Sequence, residues 1–443
     1  MESVDAPHRP RPWLWPALAG AGVAAICLWR CMAGYLDPVL CGEDWSILFA
    51  RYLWDQSPGL VLEPYAGYVS FGPQGIGWLC SWLPGGAQAY ALAFAAGGIA
   101  AVALGWFASP RFAHVLEDAR LRALVCVLLV VQPIADAPLL CTTMYAHWHM
   151  LFVVCLAAIA TPPSARARPV ELIVVAVCAW SHPMALLVAP LFAWRAWRST
   201  EGAVRGHYAC LALLSIAYLG FGVDWQAHVS PAQASSSSDG WPGALGTLLG
   251  SVILPSLTLN QGLVTLLVEH GLPLGLLGAL LSLPLVALGA TLLRTSSRDP
   301  RLAVARHTTL TLVGLALLIA TATVASRWAS QGSLVFASPR YAYVPTLLLS
   351  LWGMSALLSL GGRRVGLVAL LLAAHALSLN QDSGVQARFR FAPRSDGRVA
   401  RFATEVEAWA RTPGPFGESR RLVLPGRVLE IRRPHLAPAA APR

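Results

Sequence analysis

Two adjacent carboxylates, Glu43 and Asp44, stand in a polar stretch from Leu36 to Gln74 that follows the first long apolar run. Acids are scarce, with 22 Asp and Glu among 443 residues, and almost every later apolar run lacks them. A carboxylate at the mouth of a helix bundle can take a proton from a hydroxyl or amine during displacement at a sugar carbon. It can also cap a helix: Asp44 precedes Trp45-Ser46-Ile47-Leu48, a fitting start for a surface helix. Composition and local sequence leave both roles open.

Other polar residues belong to the same question. Glu63-Pro64-Tyr65-Ala66-Gly67-Tyr68 continues the stretch, which ends at Gly72-Pro73-Gln74. Such a run suits a rigid turn with aromatic faces, and Tyr65 and Tyr68 fit either packing on a sugar ring or an interfacial aromatic belt. His147 and His149 open the fourth apolar run; at i and i+2 they diverge around a helix, which speaks against a shared metal and for one donor facing a cavity. His182, followed by Pro183, lies between two short apolar runs, where an ionisable group faces an interior cavity or is satisfied structurally. Ser338-Pro339-Arg340-Tyr341 precedes a late apolar run. A guanidinium there either clamps a phosphate by paired hydrogen bonds or snorkels to anchor a helix end. Arg51 and Arg327 are further candidates for the phosphate.

The elements that must position these groups are helices in a bilayer. The chain is 56% hydrophobic and 12% charged, about half the charge of an average soluble protein. Runs of ~17–25 apolar residues match the hydrocarbon thickness. The first opens with Trp13-Leu14-Trp15, is longer than a signal-peptide core and lacks a small-residue cleavage site, so it reads as an anchor. The net charge of +10 comes without a single lysine. Its arginines read as orientation signals rather than as a nucleic-acid surface. The nine cysteines fit no zinc spacing, and no disulfide follows from sequence; Cys41, Cys80 and Cys141 fall on the outer side of the expected topology.

The expected fold class is an all-α polytopic membrane protein with about 11 transmembrane helices. The apolar runs lie at about 13–34, 84–108, 121–135, 145–161, 208–223, 272–293, 308–325, 344–360 and 365–379, with a hairpin of short helices at 169–181 and 183–194. The tip of that hairpin stops at membrane depth, which requires cover from protein or a water-filled cavity. Arginine clusters at 9–11, 111–122, 166–168, 195–205, 294–306 and 363–364 all fall on one side, the cytoplasm by the positive-inside rule. Residues 1–12 are then a cytoplasmic leader, 13–379 the membrane domain with 36–82 as first outer loop, and 380–443 a small extracytoplasmic tail. Within these, Asp44–Asp55 is expected as a helix on the membrane surface, and the tail as one helix (about 395–411) and two strands (about 420–425 and 427–432). The localisation expected is a bacterial inner membrane, N-terminus inside and C-terminus outside.

On these residues the chain resembles the GT-C superfamily of membrane glycosyltransferases, which use polyprenyl-phosphate sugars. The likeness rests on the acidic pair Glu43-Asp44 in the first outer loop, on Tyr65-Ala66-Gly67-Tyr68, on Ala146-His147-Trp148 and on Pro339-Arg340-Tyr341, with topology over about 13–380. The resemblance implies inverting transfer from a polyprenyl-phosphate-linked donor to a glycan, lipid or protein acceptor on the extracytoplasmic face. Asp44 or Glu43 would be the base. Arg340, with Tyr341, His182, His147, His149, Tyr65, Tyr68 and Gln74, would line the substrate site. Gln74 stands where some relatives have arginine, so a second phosphate contact is missing there. No metal site and no cofactor are expected, and no nucleic-acid partner. A secondary transporter or flippase for a lipid-linked or small polar substrate is the rival from another class; it would need polar residues along a path through the midplane. A ligase or polymerase with its signals in a late outer loop, and an inactive scaffold, are further readings.

Overall fold

The structure, a computed structural model, describes residues 13–32, 35, 38, 44–65, 67–131, 137–223, 308, 310–323, 343–356, 358, 405–409, 412, 419–424 and 427–432. Helices dominate. The main ones are α1 (Leu14–Arg30), α2 (Phe71–Cys80), α3 (Gly85–Gly105), α4 (Ala119–Val130), α5 (Ala146–Ile159), α6 (Arg168–Ala179), α7 (Ala189–Arg198) and α8 (Gly202–Phe221). Further helical segments cover Leu310–Thr323, 343–356 and 405–409. One antiparallel hairpin, β1 (Ser419–Leu424) and β2 (Arg427–Arg432), with Arg421 opposite Glu430, departs from an all-α description and matches the strands expected in the tail.

The bundle is centred on α5, in which every residue is buried. An apolar stripe cannot orient a helix that is apolar all round; such a helix belongs in the middle. Small residues let its neighbours cross closely. A Cβ on Gly105 would lie 2.9 Å from the Gly20 backbone, so α1 and α3 pack main chain on main chain. Among the described residues, Gly85–Ala108 and Gly202–Phe221 are long and apolar enough to cross a membrane, and Leu14–Arg30, Thr143–Ile159 and Leu310–Thr323 are shorter apolar helices. The runs expected at 272–293 and 365–379 lie outside the described residues.

The helices alternate between two ends. One end is rich in arginine. Arg111 pairs with Glu171 and donates to the Thr161 carbonyl from Nε at 2.8 Å and Nη2 at 2.6 Å. Arg122 donates to the Leu116 and Glu117 carbonyls at 2.6 and 2.8 Å. Arg195 closes the end of α5, donating to the Ala158 and Ala160 carbonyls at 2.8 and 2.7 Å. Orphan carbonyls and the negative end of a helix dipole make that a favourable place for a cation. Arg168 pairs with Glu201 at 2.6 Å, and Arg120 lies 5.7 Å over Trp15 at the start of α1. The arginine clusters at 111–122, 166–168 and 195–205 therefore share one end; those at 9–11, 294–306 and 363–364 lie outside the described residues.

The opposite end holds the first loop. The helix expected at Asp44–Asp55 is present through Trp54, but it is built into the bundle rather than laid on a surface. A π-helical turn, Asp44–Phe49, runs into a short helix, Ala50–Trp54, and Asp44, Ile47, Leu48, Phe49 and Tyr52 are buried. The turn at Gly72-Pro73-Gln74 is instead the start of α2, with Pro73 in its first turn, where a missing N–H costs nothing. The short helices flanking His182, α6 and α7, run to the hinge and back, but each packs on α8 rather than on the other, and Pro183–Val188 is a 3₁₀ turn rather than the start of the second helix.

Candidate functional site

The first loop reaches the end of the bundle through a narrow strand. The Tyr65 and Tyr68 backbones exchange hydrogen bonds of 2.8 and 3.1 Å around Gly67, whose φ of 84° suits glycine. Val69 N–H donates to the Gly222 carbonyl at 2.7 Å, and the Tyr218 hydroxyl donates to the Val69 carbonyl at 2.6 Å. Phe71 N–H donates to the Trp180 carbonyl at 3.2 Å, and Gly72 N–H to Ser181 Oγ at 2.8 Å. The loop is thus sewn between the end of α8 and the α6–α7 hinge. That fastening places Tyr68 beside the hinge histidine.

Four rings meet there. His147 and His182 have centroids 4.9 Å apart, and Trp148 lies 4.3 Å from His182. Tyr68, half-buried, stands 6.3 Å from His147 and 6.4 Å from His182. The hydrogen bonds fix the neutral tautomers, because a carbonyl only accepts and a peptide N–H only donates. His147 Nδ1 bonds the Met144 carbonyl, so Nδ1 carries the proton and Nε2 the lone pair. His182 Nδ1 accepts from Met184 N–H at 3.1 Å, so its Nε2 carries the proton.

Asp44 approaches the same point from another direction. Its Oδ2 accepts from Thr143 N–H at 2.8 Å and its Oδ1 from Met144 N–H at 2.6 Å. The carboxylate thereby caps the 3₁₀ turn Thr143–Tyr145 that leads into α5, and a negative charge is favoured at such an N-terminus. Asp44 is a helix cap, but of a helix about a hundred residues downstream rather than of its own segment. Met144 joins the two halves of the site: its N–H faces Asp44 and its carbonyl faces His147.

The other expected residues have distinct places. His149 does not share the site of His147. It is fully buried, donating from Nε2 to the Leu139 carbonyl at 3.0 Å and accepting at Nδ1 from the Tyr343 hydroxyl at 3.1 Å. Gln74 is also fully buried. Its Nε2 donates to the Glu63 carbonyl at 3.1 Å, and Oε1 accepts from Arg51 Nη1 at 3.4 Å. Arg51 in turn pairs with Glu63, so these three residues tie the loop to itself. Burial pushes the Tyr52 phenol up to about 12 against the pull of Arg51, leaving a neutral donor to the Gln74 carbonyl at 3.2 Å. Tyr65 is partly exposed on the hairpin. Glu43, Arg340 and Tyr341 lie outside the described residues, as does Arg327.

Trp148, Ser181 and Met144 belong to the site and were not among the expected residues. Trp148 follows His147 and Ser181 precedes His182, so adjacency in sequence was the available signal; the Met144 peptide carried none. Among the described residues, no three His, Cys, Asp or Glu side chains gather where they would hold a metal ion.

The described part of the tail reaches this end too. Val406 is buried with Ile47, Leu48, Phe49 and Met144 in one apolar cluster. Glu407 Oε2 accepts from the N–H of Gly85, the first residue of α3, at 2.5 Å.

Comparison with protein-family models, with curated proteins and with solved structures returns no match.

Proposed function

We propose that this chain is an integral membrane glycosyltransferase of GT-C type, moving a sugar with inversion from a polyprenyl-phosphate donor to an envelope acceptor on the extracytoplasmic face. One observation carries the reading. Asp44, Tyr68, His147, Trp148 and His182 come from separate parts of the chain and gather at one end of the helix bundle, opposite the arginine-rich end. A transporter would need polar groups spread along a path between the two ends.

A bilayer setting is supported by exposed tryptophans at both ends. Trp13 and Trp197 stand at the arginine-rich end, Trp29 and Trp82 at the other. Along α1, Trp13 and Trp29 are separated by ~24 Å at ~1.5 Å per residue, near the ~30 Å of a hydrocarbon core. Interfacial aromatic belts have this form. The arginine-rich end is then cytoplasmic, about eleven helices span the inner membrane, and donor and acceptor meet at the far side.

In this reading Glu43 or Asp44 answers for proton removal, and Arg340 offsets the charge growing on the leaving phosphate. The test is replacement of the native copy by Glu43→Gln, Asp44→Asn, their double variant or Arg340→Ala, with envelope glycans profiled by mass spectrometry. Loss of one defined sugar from inserted, folded variants is expected. Unchanged glycans in all four strains would overturn the proposal.

A further inference from the structure

The arginine-rich end carries more guanidinium than its carboxylates neutralise. Arg111 is matched by Glu171 and Arg168 by Glu201. Arg122 and Arg195 are committed to backbone carbonyls. Arg166, Arg198 and Arg205 are exposed, and among the described residues none of the three has a carboxylate partner. The linker between α7 and α8 gathers them. Arg205 donates to the Ser199 carbonyl from Nε at 3.2 Å and Nη2 at 2.9 Å, next to Arg198. The Arg168–Glu201 pair brings the start of α6, with Arg166 just before it, to the same linker.

The outer face of α7 adds apolar surface to this charge. Trp194 and Trp197 are three residues apart and Arg198 is four from Trp194, so the three share one face of the helix. Trp197 is 78% exposed and Trp194 44%. The opposite face is buried through Ala189, Phe192 and Ala196, and Arg195 turns inward to lie 4.2 Å over the Tyr208 ring. Two indoles and an unneutralised guanidinium thus face outward together. An indole favours the boundary between acyl chain and headgroup, and a guanidinium favours phosphate oxygens. The headgroup layer of an anionic bilayer supplies both at one depth. A free phosphate would leave the indoles in water.

We propose that the ends of α6, α7 and α8 form a docking surface for anionic phospholipid; this rests on the bilayer setting argued above. Arg198 and Arg205 hold the lipid phosphate, Arg166 adds to the attraction, and Trp194 and Trp197 lie against the glycerol and the upper acyl chain.

The test is native mass spectrometry of the full-length protein in detergent, with phosphatidylglycerol and phosphatidylcholine offered in equal amounts. Preferential retention of phosphatidylglycerol is expected. Arg198→Gln and Arg166→Gln should each weaken that retention about fivefold, the ~1 kcal/mol of one arginine near an anionic surface. Trp197→Ala should weaken retention of both lipids. Arg120→Gln, beside Trp15 at the start of α1, should leave the preference intact. Equal retention of the two lipids by the unmodified protein overturns the inference. So does an undiminished preference in the Arg166→Gln, Arg198→Gln double variant, or an equal loss in Arg120→Gln, which would mean diffuse charge. Displacement of the lipid by inorganic phosphate at constant ionic strength would assign the arginines to a free anion and overturn it too. A chain that stays in solution without detergent overturns the bilayer setting itself, a separate result.

Discussion

Gly72 and Met150 touch so closely that no side chain fits between them: a Cβ on Gly72 would lie 2.6 Å from the Met150 sulfur and 2.7 Å from Ser181 Oγ. The first loop therefore meets the central helix and the hinge at a point without slack. Gly72→Ala is expected to destabilise the protein by about 1–3 kcal/mol, the range for overpacking. Pairing it with Met150→Ala should recover part of that loss, because the cavity left by one accepts the methyl of the other. A double-mutant cycle on thermal unfolding measures the coupling. Strict additivity would mean that the two residues do not meet.

Removing the Asp44 charge should have a structural cost apart from any effect on chemistry. In Asp44→Asn one oxygen still accepts, but the amide nitrogen opposes the second N–H. A loss of about 1–2 kcal/mol is expected, the scale for a lost N-cap. Hydrogen exchange should rise at Thr143 and Met144 while remaining unchanged in the Arg195 region. Equal protection in both proteins would rule out the cap.

Glu171 ties the arginine-rich end together: its carboxylate pairs with Arg111 and lies 3.3 Å from His207 Nε2. Glu171→Ala should cost about 3–5 kcal/mol, since it leaves Arg111 half of a broken buried pair. Urea titrations of the two proteins measure the difference, and equal midpoints would mean that the pair contributes nothing.

Val406 seals the first loop from more than 300 positions downstream. Val406→Ala should cost about 1.5 kcal/mol at ~0.8 kcal/mol per buried carbon. Limited proteolysis between Asp44 and Trp54 should quicken in proportion. Unchanged cleavage would place the tail elsewhere.

Legibility followed the range of the interactions. Periodicity and the Ser181-His182-Pro183 break foretold the two short helices α6 and α7 and the hinge between them, though not their packing on α8, and helical geometry alone sends His147 and His149 to different partners. The helix α2 was hidden because Gly72-Pro73-Gln74-Gly75 has the composition of a turn, and only its packing against Met150 and Ser181 overrides that preference. Asp44 looked like a cap, but its partners lie 99 and 100 positions away, beyond any local pattern. Gln74 looked like a ligand contact, and its burial between Glu63 and Arg51 depends on a loop closure that composition does not encode.

The contact of Glu407 with Gly85 joins residues 322 positions apart. The first N–H of α3 therefore gains its carboxylate partner only once all the intervening chain has been made, and a break anywhere between the two would uncouple the start of that helix from the downstream segment that holds it.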